Sequence, residues 1–234
     1  HFSIQQPHSI LDVTAESEIE MFAQRQSLSL DFGATCADAR AMLTTTINDE
    51  NTSAREFLLD SPMVAASADL AEYAQSSFAD ERPFLSCVRD LTARIYRDFT
   101  YDPRSTEITT PLKEVLQFRR GVCQDFAHLA IGCLRSLGFP ARYVSGYLET
   151  SPPAGAQRLQ GADESHAWFA AYSPAEGWAD FDPTNNLMAM ERHITTAWGR
   201  DYSDVTPLKG SIIGGGGHTL QISVDVQRLN RSTL

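Results

Sequence analysis

Apolar residues recur at helical spacing in the middle of the chain. Within residues 83–99 they follow one another at intervals of 4, 3, 4 and 4 positions: Phe84, Val88, Leu91, Ile95 and Phe99. This spacing places all five on one face of an α-helix. Pro83 suits the first helical turn, where its missing N–H is not needed. The pattern therefore predicts an amphipathic helix over 83–99.

Shorter segments on either side also predict helices. Ser53 is placed to cap the sequence AREFLLD, with Glu56 completing a capping box. Residues 67–78 and 112–118 carry further helical patterns. Residues 33–52 are rich in small and polar side chains, which predicts a connector containing a domain boundary.

Another helix is predicted to begin at Cys123, directly after Gly121 ends the helix before it. Gly138 suits its C-terminus, and Pro140 prevents its continuation. Its apolar positions form a broad stripe: Phe126, Leu129, Ala130, Cys133, Leu134 and Leu137.

Beyond Pro140 the apolar and polar positions alternate with a period of two, as in β-strands. Residues 1–32 alternate in the same way. A short turn at 173–177 separates two of the later strands, which should therefore be antiparallel neighbours. Helices followed by strands indicate an α+β fold. The predicted strands after Pro140 lie at 141–149, 166–172, 177–182, 192–198 and, following the glycines 214–217, 218–229.

The composition is that of an ordinary globular protein with an acidic charge. The chain has 234 residues, of which 42% are hydrophobic and 21% charged, enough for a sizeable core. The net charge of -11 argues against nucleic acid as a partner, because phosphates would be repelled. No apolar run approaches the roughly 20 residues that span a bilayer, so no membrane partner is predicted.

The start of the chain, at His1, has neither the basic nor the apolar region of a signal peptide. Because it alternates like a strand, we interpret the chain as a fragment of a longer protein. An intact mass of the source protein equal to that of this chain would contradict this hypothesis.

The four cysteines form no C-x-x-C pair, which argues against a zinc ribbon or a thioredoxin-type site. They are also too few for a disulfide framework. A reducing cytosol is the simplest compartment for such a protein, so we expect a cytoplasmic location.

Three residues in the second half of the chain form a candidate catalytic set. Cys123 opens a helix, His166 starts a strand, and Asp182 ends the next strand. In an antiparallel pair joined by a tight turn, the start of one strand lies beside the end of the other. A carboxylate there would fix the imidazole tautomer and stabilise its charged form. The helix then needs only to pack across the sheet to bring the thiol to the imidazole.

The predicted position of Cys123 suits a nucleophile. The thiolate is the reactive species, and a free thiol has a pKa of about 8.5. The positive end of the helix dipole and a nearby imidazolium both favour the anion. The free N–H groups of the first turn can also stabilise a developing oxyanion.

The sequences GVCQDFAH, GFPARYVSGY, HAW and DPTNN, in this order, resemble the core of the transglutaminase-like superfamily. The resemblance covers about residues 80–230 and is nearest to bacterial transglutaminase-like proteins described as cysteine proteases. It implies a papain-like fold, with a nucleophile helix packed on an antiparallel sheet. It also implies Cys123 as nucleophile, His166 as base and Asp182 as the orienting carboxylate.

The resemblance further suggests a division of the chain into three parts. Those bacterial relatives carry an N-terminal β-domain, and residues 1–32 look like its last strands. Residues 33–82 would then be the connector and helices, and 83–234 the catalytic core.

Other residues are assigned more loosely. Gln124 could assist the oxyanion or bond within its helix, and Tyr147 could line the cleft. Trp168 either packs around the site or, less favourably, forms a substrate wall. His128 is expected to be structural, and His193 is expected to pack or hydrogen-bond, with a role in the site as the less favoured alternative. No set of residues has metal-ligand spacing, so no metal and no cofactor are predicted.

The expected activity is acyl transfer from an amide through a thioester. Water as the second acceptor would make the protein a protease or amidase acting on a peptide or protein. A crosslinking transglutaminase, in which an amine is the acceptor, is the alternative within enzymes. A peptide-binding module without turnover is the alternative outside them.

Overall fold

A computed structural model describes residues 3–21, 30–152, 154–160, 164–211, 213–214, 216–217, 219 and 221–229. Within them the helices are α1 (Cys36–Thr45), α2 (Asp49–Arg55), α3 (Ala68–Gln75), α4 (Phe84–Asp98), α5 (Leu112–Phe118) and α6 (Cys123–Ser136). The strands are β1 (Thr100–Tyr101), β2 (Arg120–Gly121), β3 (Ala141–Leu148), β4 (Ser165–Ser173), β5 (Gly177–Asp182), β6 (Leu187–Met188) and β7 (His193–Gly199).

The main sheet has five antiparallel strands in the order β6-β5-β4-β3-β7. The four strands predicted between positions 141 and 198 are confirmed, as is the antiparallel pairing of β4 with β5. The α+β class is therefore confirmed. Strand β6 and the short parallel pair of β1 with β2 were not predicted.

Helix α6 lies at the centre of the helical layer. It packs on β4 and β3 and also contacts α3, α4 and α5, so every residue from Asp125 to Arg135 is buried. Its apolar side chains share one core with α4, whose predicted face is buried throughout. Helix and sheet therefore form the two layers that the resemblance implied.

The connection into α6 differs from the prediction. Helix α5 ends at Phe118 and is terminated by Arg119, which has a left-handed φ of 55°, and not by Gly121. Gly121 lies in β2, where an added Cβ would come 2.7 Å from Asp125 Oδ2. The glycine is thus required for the close approach of the Asp125 carboxylate.

The predicted connector at 33–52 is wrong, because most of it forms α1 and α2. Thr35 and Asp38 form a capping box at the start of α1, a sequence signal that the high content of small and polar residues obscured. Asn48 caps α2 by accepting from the Asn51 N–H. Ser53, predicted to be a cap, lies inside that helix.

The strands predicted near the two ends of the chain are absent from the described residues there. Residues 3–21 form neither helix nor strand, and their side chains are exposed; residues 1–2 and 22–29 lie outside the described residues. Residues 219 and 221–229 likewise form no strand, and the predicted glycine turn is described only in part. Alternation alone does not make a strand, which also needs a partner for its N–H and C=O groups. The three-part division of the chain stays a prediction.

In the described part of the chain, no helix combines the length and the apolar character needed to span a membrane.

Gly146 provides a test of the packing beneath the sheet. It pairs with His166 across β3 and β4 and lies at a β-bulge against β7. An added Cβ would overlap the Ile194 carbonyl oxygen and crowd the Trp168 ring. We expect Gly146→Ala to lower the free energy of unfolding by about 1–3 kcal/mol, the usual cost of overpacking, measured by urea denaturation. Gly210→Ala is the control, since a Cβ there meets no described atom within 4 Å; a wild-type midpoint for Gly146→Ala would contradict this account.

Candidate active site

The β4–β5 hairpin brings His166 and Asp182 together. His166 Nε2 lies 2.8 Å from Asp182 Oδ2, and both side chains are fully buried. Because an ionised carboxylate only accepts, Nε2 carries the hydrogen and the ring is held in one orientation. The side-by-side placement expected from the turn is present.

The Asp182 carboxylate accepts from five N–H groups. Oδ1 accepts from the backbone N–H groups of Thr184 and Asn185, at 2.9 and 3.2 Å. Oδ2 accepts from His166, from the Asn185 amide at 2.8 Å and from His193 Nε2 at 3.0 Å. Burial raises the pKa of Asp182, but the two histidines outweigh it and hold the pKa well below its ordinary value. The group is therefore a buried, hydrogen-bonded anion.

The environment of His166 favours its charged form. Burial lowers its pKa, but the charge and hydrogen bond of Asp182, with a further contribution from Cys123, outweigh that effect and raise the pKa to about 10. Nδ1 is buried and makes no hydrogen bond with the described residues. The imidazole thus has Nε2 on the carboxylate, while the Cys123 thiol lies close enough to the ring to raise the pKa of His166.

Cys123 is the first residue of α6 and is partly exposed, whereas the side chains of Cys36, Cys87 and Cys133 are buried. Val122, which precedes it, has no side-chain acceptor, so the first-turn N–H groups are left without a side-chain cap. Of the four cysteines, Cys123 is therefore the one that combines a helix start with access to solvent.

Tyr101 lies close to the Cys123 thiol. Burial, with smaller contributions from Cys123 and Glu164, raises the pKa of Tyr101 to about 12.

Comparisons with known proteins match these elements. The sequence model described as the transglutaminase-like superfamily matches residues 71–183. An uncharacterized protein of Mycobacterium tuberculosis is 40% identical over 231 residues, 97% of this chain and 73% of that protein. The chain belongs to the transglutaminase-like superfamily.

Two further relatives differ in their described chemistry. The solved structure of a candidate cysteine protease from Cytophaga hutchinsonii has a TM-score of 0.56 and 32% identity, covering 69% of this chain and 50% of that chain. The protein-glutamine gamma-glutamyltransferase of Pseudomonas aeruginosa is 31% identical over 110 residues, 44% of this chain and 16% of that protein. The predicted family and its transglutaminase-like, papain-like core are confirmed. The matched residues of the family model contain Cys123, His166 and Asp182 but end before His193.

Gln124 and Asp125, the two residues after Cys123, hold the start of α6 in place. Gln124 Nε2 donates to the Ile108 carbonyl at 3.1 Å, so its amide holds the preceding loop and does not bond within the helix. Buried Asp125 accepts from the Val122 N–H at 2.8 Å and from the Thr106 hydroxyl at 2.7 Å. These two side chains fix the position from which the thiol projects.

Tyr147 and Trp168 occupy different environments. Tyr147 is half-buried on β3, paired with Ser165 of β4. Trp168 is completely buried, and its Nε1 donates to Asp180 Oδ2 at 3.1 Å. This placement favours packing over a substrate wall for Trp168.

The two remaining buried histidines have different hydrogen-bond partners. His128 Nε2 accepts from the Tyr202 N–H at 3.1 Å, and burial lowers its pKa to about 4, so its structural role is confirmed. His193 does hydrogen-bond, as expected, but its partner is Asp182. His193 therefore lies beside the candidate set, and strand periodicity did not reveal this because it does not show which strands become neighbours; the less favoured alternative, a role in the site, stays a prediction.

His166, Asp182 and His193 are also the one described group with metal-like spacing, since their ligand atoms lie within 4.8 Å of one another. Both Nε2 atoms lie at hydrogen-bonding distance from Oδ2, so hydrogen bonds among the three side chains account for these contacts, and we assign no metal ligand among them.

The exposure of Cys123 predicts selective alkylation. Iodoacetamide should modify Cys123 before the three buried cysteines in the native protein, as read by peptide mass spectrometry, whereas all four should react in urea. His166→Gln, which keeps an N–H for Asp182 but cannot become an imidazolium, should slow the Cys123 reaction below pH 8.5. Equal rates in the two proteins across this range would contradict a His166-stabilised thiolate.

The raised pKa of His166 predicts a pH-dependent stability. A histidine with a raised folded pKa stabilises the native state below its unfolded value of 6.5 and loses this contribution as the pH rises through about 10. The difference in unfolding free energy between wild type and His166→Phe should therefore shrink from pH 6 to pH 10, measured by urea denaturation. His128→Phe is the matched control: its depressed pKa predicts a constant difference from pH 7 to 10. A constant difference for His166→Phe as well would contradict the account.

Proposed function

We propose that this protein is a cysteine-dependent enzyme that transfers acyl groups from amides. The observation that supports the proposal most directly is the buried His166–Asp182 pair, whose imidazole interacts with a partly exposed thiol at a helix start. In this proposal Cys123 is the nucleophile, His166 the base and acid, and Asp182 the group that orients His166. A buried charged pair next to a partly exposed thiol is an arrangement that active sites use to tune the proton affinity of a nucleophile and its base.

The first half of the reaction forms a thioester. His166 holds the proton of the Cys123 thiol, and the thiolate attacks the amide carbonyl carbon to form a C–S bond. The negative oxygen of the tetrahedral intermediate would accept from the first-turn N–H groups of α6. The C–N bond then breaks, and the leaving amine or ammonia takes the proton from His166.

In the second half, His166 accepts a proton from water as the water oxygen attacks the thioester carbon. The C–S bond breaks, and the carboxylic acid product leaves with the Cys123 thiolate restored beside an imidazolium. We favour water over an amine, which would make the protein a protease or amidase. The Cytophaga hutchinsonii relative, described as a candidate cysteine protease, supports this choice.

Substrate contacts belong to the proposal only in part. Tyr147, half-buried on the strand beside that of His166, remains our candidate for lining the cleft. Gln124 is less suited to binding the oxyanion, since its amide donates to Ile108. A peptide or protein substrate and a cytosolic location are the expectations that go with this function.

Two other activities remain as alternatives. A crosslinking reaction, with a lysine amine replacing water, has support from the similarity to a protein-glutamine gamma-glutamyltransferase. A binding module that does not turn peptides over would share the fold but would have an unreactive Cys123.

Casein incubated with the enzyme can separate these possibilities. We expect new peptide N-termini or released ammonia, without incorporation of a fluorescent primary amine, and a loss of at least about 10³-fold in Cys123→Ala. Cys133→Ala is the matched control, because it removes a buried thiol on the same helix and should keep the activity. Amine incorporation would support crosslinking, whereas no reaction together with an unreactive Cys123 would contradict the enzyme proposal.

A further inference from the structure

Asp182 serves two histidines through the same oxygen. Oδ2 lies 2.8 Å from His166 Nε2 and 3.0 Å from His193 Nε2, and the side chains of all three residues are at most 3% exposed. The arrangement His166–Asp182–His193 brings β4, β5 and β7 to one point, although β4 and β3 separate β5 from β7 in the sheet.

His193 is held firmly in this position. Its backbone N–H donates to the Met190 carbonyl at 2.8 Å, and it pairs with Leu148 at the end of β3. The Trp168 ring meets the His193 ring edge-on, with centroids 5.1 Å apart at 85°. His193 Nδ1 has no hydrogen-bond partner among the described residues, so Asp182 is the hydrogen-bonding partner that orients the ring.

A carboxylate oxygen that accepts several hydrogen bonds holds each donor less strongly. Each N–H that approaches Oδ2 stabilises the negative charge and so reduces the affinity of the carboxylate for a neighbouring proton. His193 therefore competes with His166 for the charge of Asp182.

The other charged groups around the pair do not replace this contact. Cys123 of α6 faces His166. Asp180 of β5 interacts electrostatically with His193, but its carboxylate already accepts from Trp168 Nε1 and lies near Arg142. Asp182 is the one carboxylate hydrogen-bonded to both histidines within the described chain.

We propose that His193 is a positioning residue that shares the Asp182 oxygen and thereby limits how tightly His166 holds its proton. The inference rests on the proposed function, in which His166 must first take the thiol proton and then give it to the leaving amine. An imidazolium bound too strongly to its carboxylate is a poor acid for the second step, since proton transfer is fastest when the pKa of the acid lies near the working pH.

The test is a titration of His166 by NMR in protein labelled with ¹⁵N-histidine, in a Cys123→Ala background. His193→Phe keeps an aromatic ring against Trp168 but removes the N–H to Asp182. We expect the His166 midpoint to rise by about one pH unit, a tenfold tighter hold on the proton, which is the scale of one hydrogen bond to a charged group. His193→Gln, which retains an N–H donor, should keep the proton affinity within about twofold of the parent.

His128→Phe is the matched control. It removes a second buried histidine that bonds a backbone N–H and not Asp182, and it should leave the His166 midpoint unchanged. A merely structural role for His193 would lower stability without moving the midpoint. An unchanged or lowered His166 midpoint in folded His193→Phe would overturn the proposal.

A second substitution covers the case in which His193→Phe does not fold. His193→Leu also removes the N–H to Asp182, with a smaller apolar side chain against Trp168. In the Cys123→Ala protein it should raise the His166 midpoint by about one pH unit as well. An unchanged or lowered midpoint in folded His193→Leu would overturn the proposal.

These results are separable from the fate of the proposed function, because the titration involves no turnover. Casein turnover by the unmodified chain combined with an unmoved His166 midpoint would reject the inference alone. An inactive Cys123 combined with a raised midpoint would reject the enzyme proposal and leave the sharing of Asp182 as a property of the fold.

Discussion

The arrangement of the site depends on one buried carboxylate. Asp182 ends a strand in the interior and accepts five N–H donors from β4, β7 and the turn that follows β5. A buried anion is tolerated only when it is fully paired, and removing one partner from such a pair costs about 3–5 kcal/mol. The residues after Asp182 in the DPTNN sequence stabilise its charge, because Thr184 and Asn185 supply three of the five N–H donors.

The second constraint is the start of α6. The thiol must project from the helix toward a ring that is anchored in the sheet, so the helix must begin at one defined place. Asp125 secures that place by binding Val122 and Thr106, and it can do so because Gly121 leaves room for its carboxylate. Burial along the rest of α6 then fixes the helix against β3 and β4.

The two constraints meet at His166, and the chemistry that we propose uses both. In the proposed mechanism the carboxylate would favour the imidazolium, the helix start would favour the thiolate, and each ion would stabilise the other. Such a pair would be ready for attack, but its stability would also oppose the later transfer of the proton to a leaving amine. A second histidine on the same oxygen is a simple physical means of moderating the first, and it requires no contact with substrate.

The local sequence was sufficient for the elements with strong periodicity and for the residues that lie close in sequence. The face of α4, the start of α6 and the β4–β5 hairpin could all be predicted, and with the hairpin came the approach of His166 to Asp182, because a tight turn leaves few ways to pair two strands. The capping box at Thr35 is also present in the sequence, within a segment whose small and polar residues predict a connector. The strands predicted from alternation near the ends of the chain are absent from the described residues there. Periodicity indicates which side chains could face a core, but it does not show whether a partner strand exists.

Only the tertiary structure decided what lies beyond such local pairings. It placed β7 beside β3 and so brought His193 to Asp182, directed the Gln124 amide to the 102–110 loop, and enclosed Trp168 completely. These contacts join residues on separate elements, and their geometry follows from how the helix layer and the sheet pack together. No spacing along the chain encodes that packing, which is why the candidate triad could be predicted from sequence and the second histidine could not.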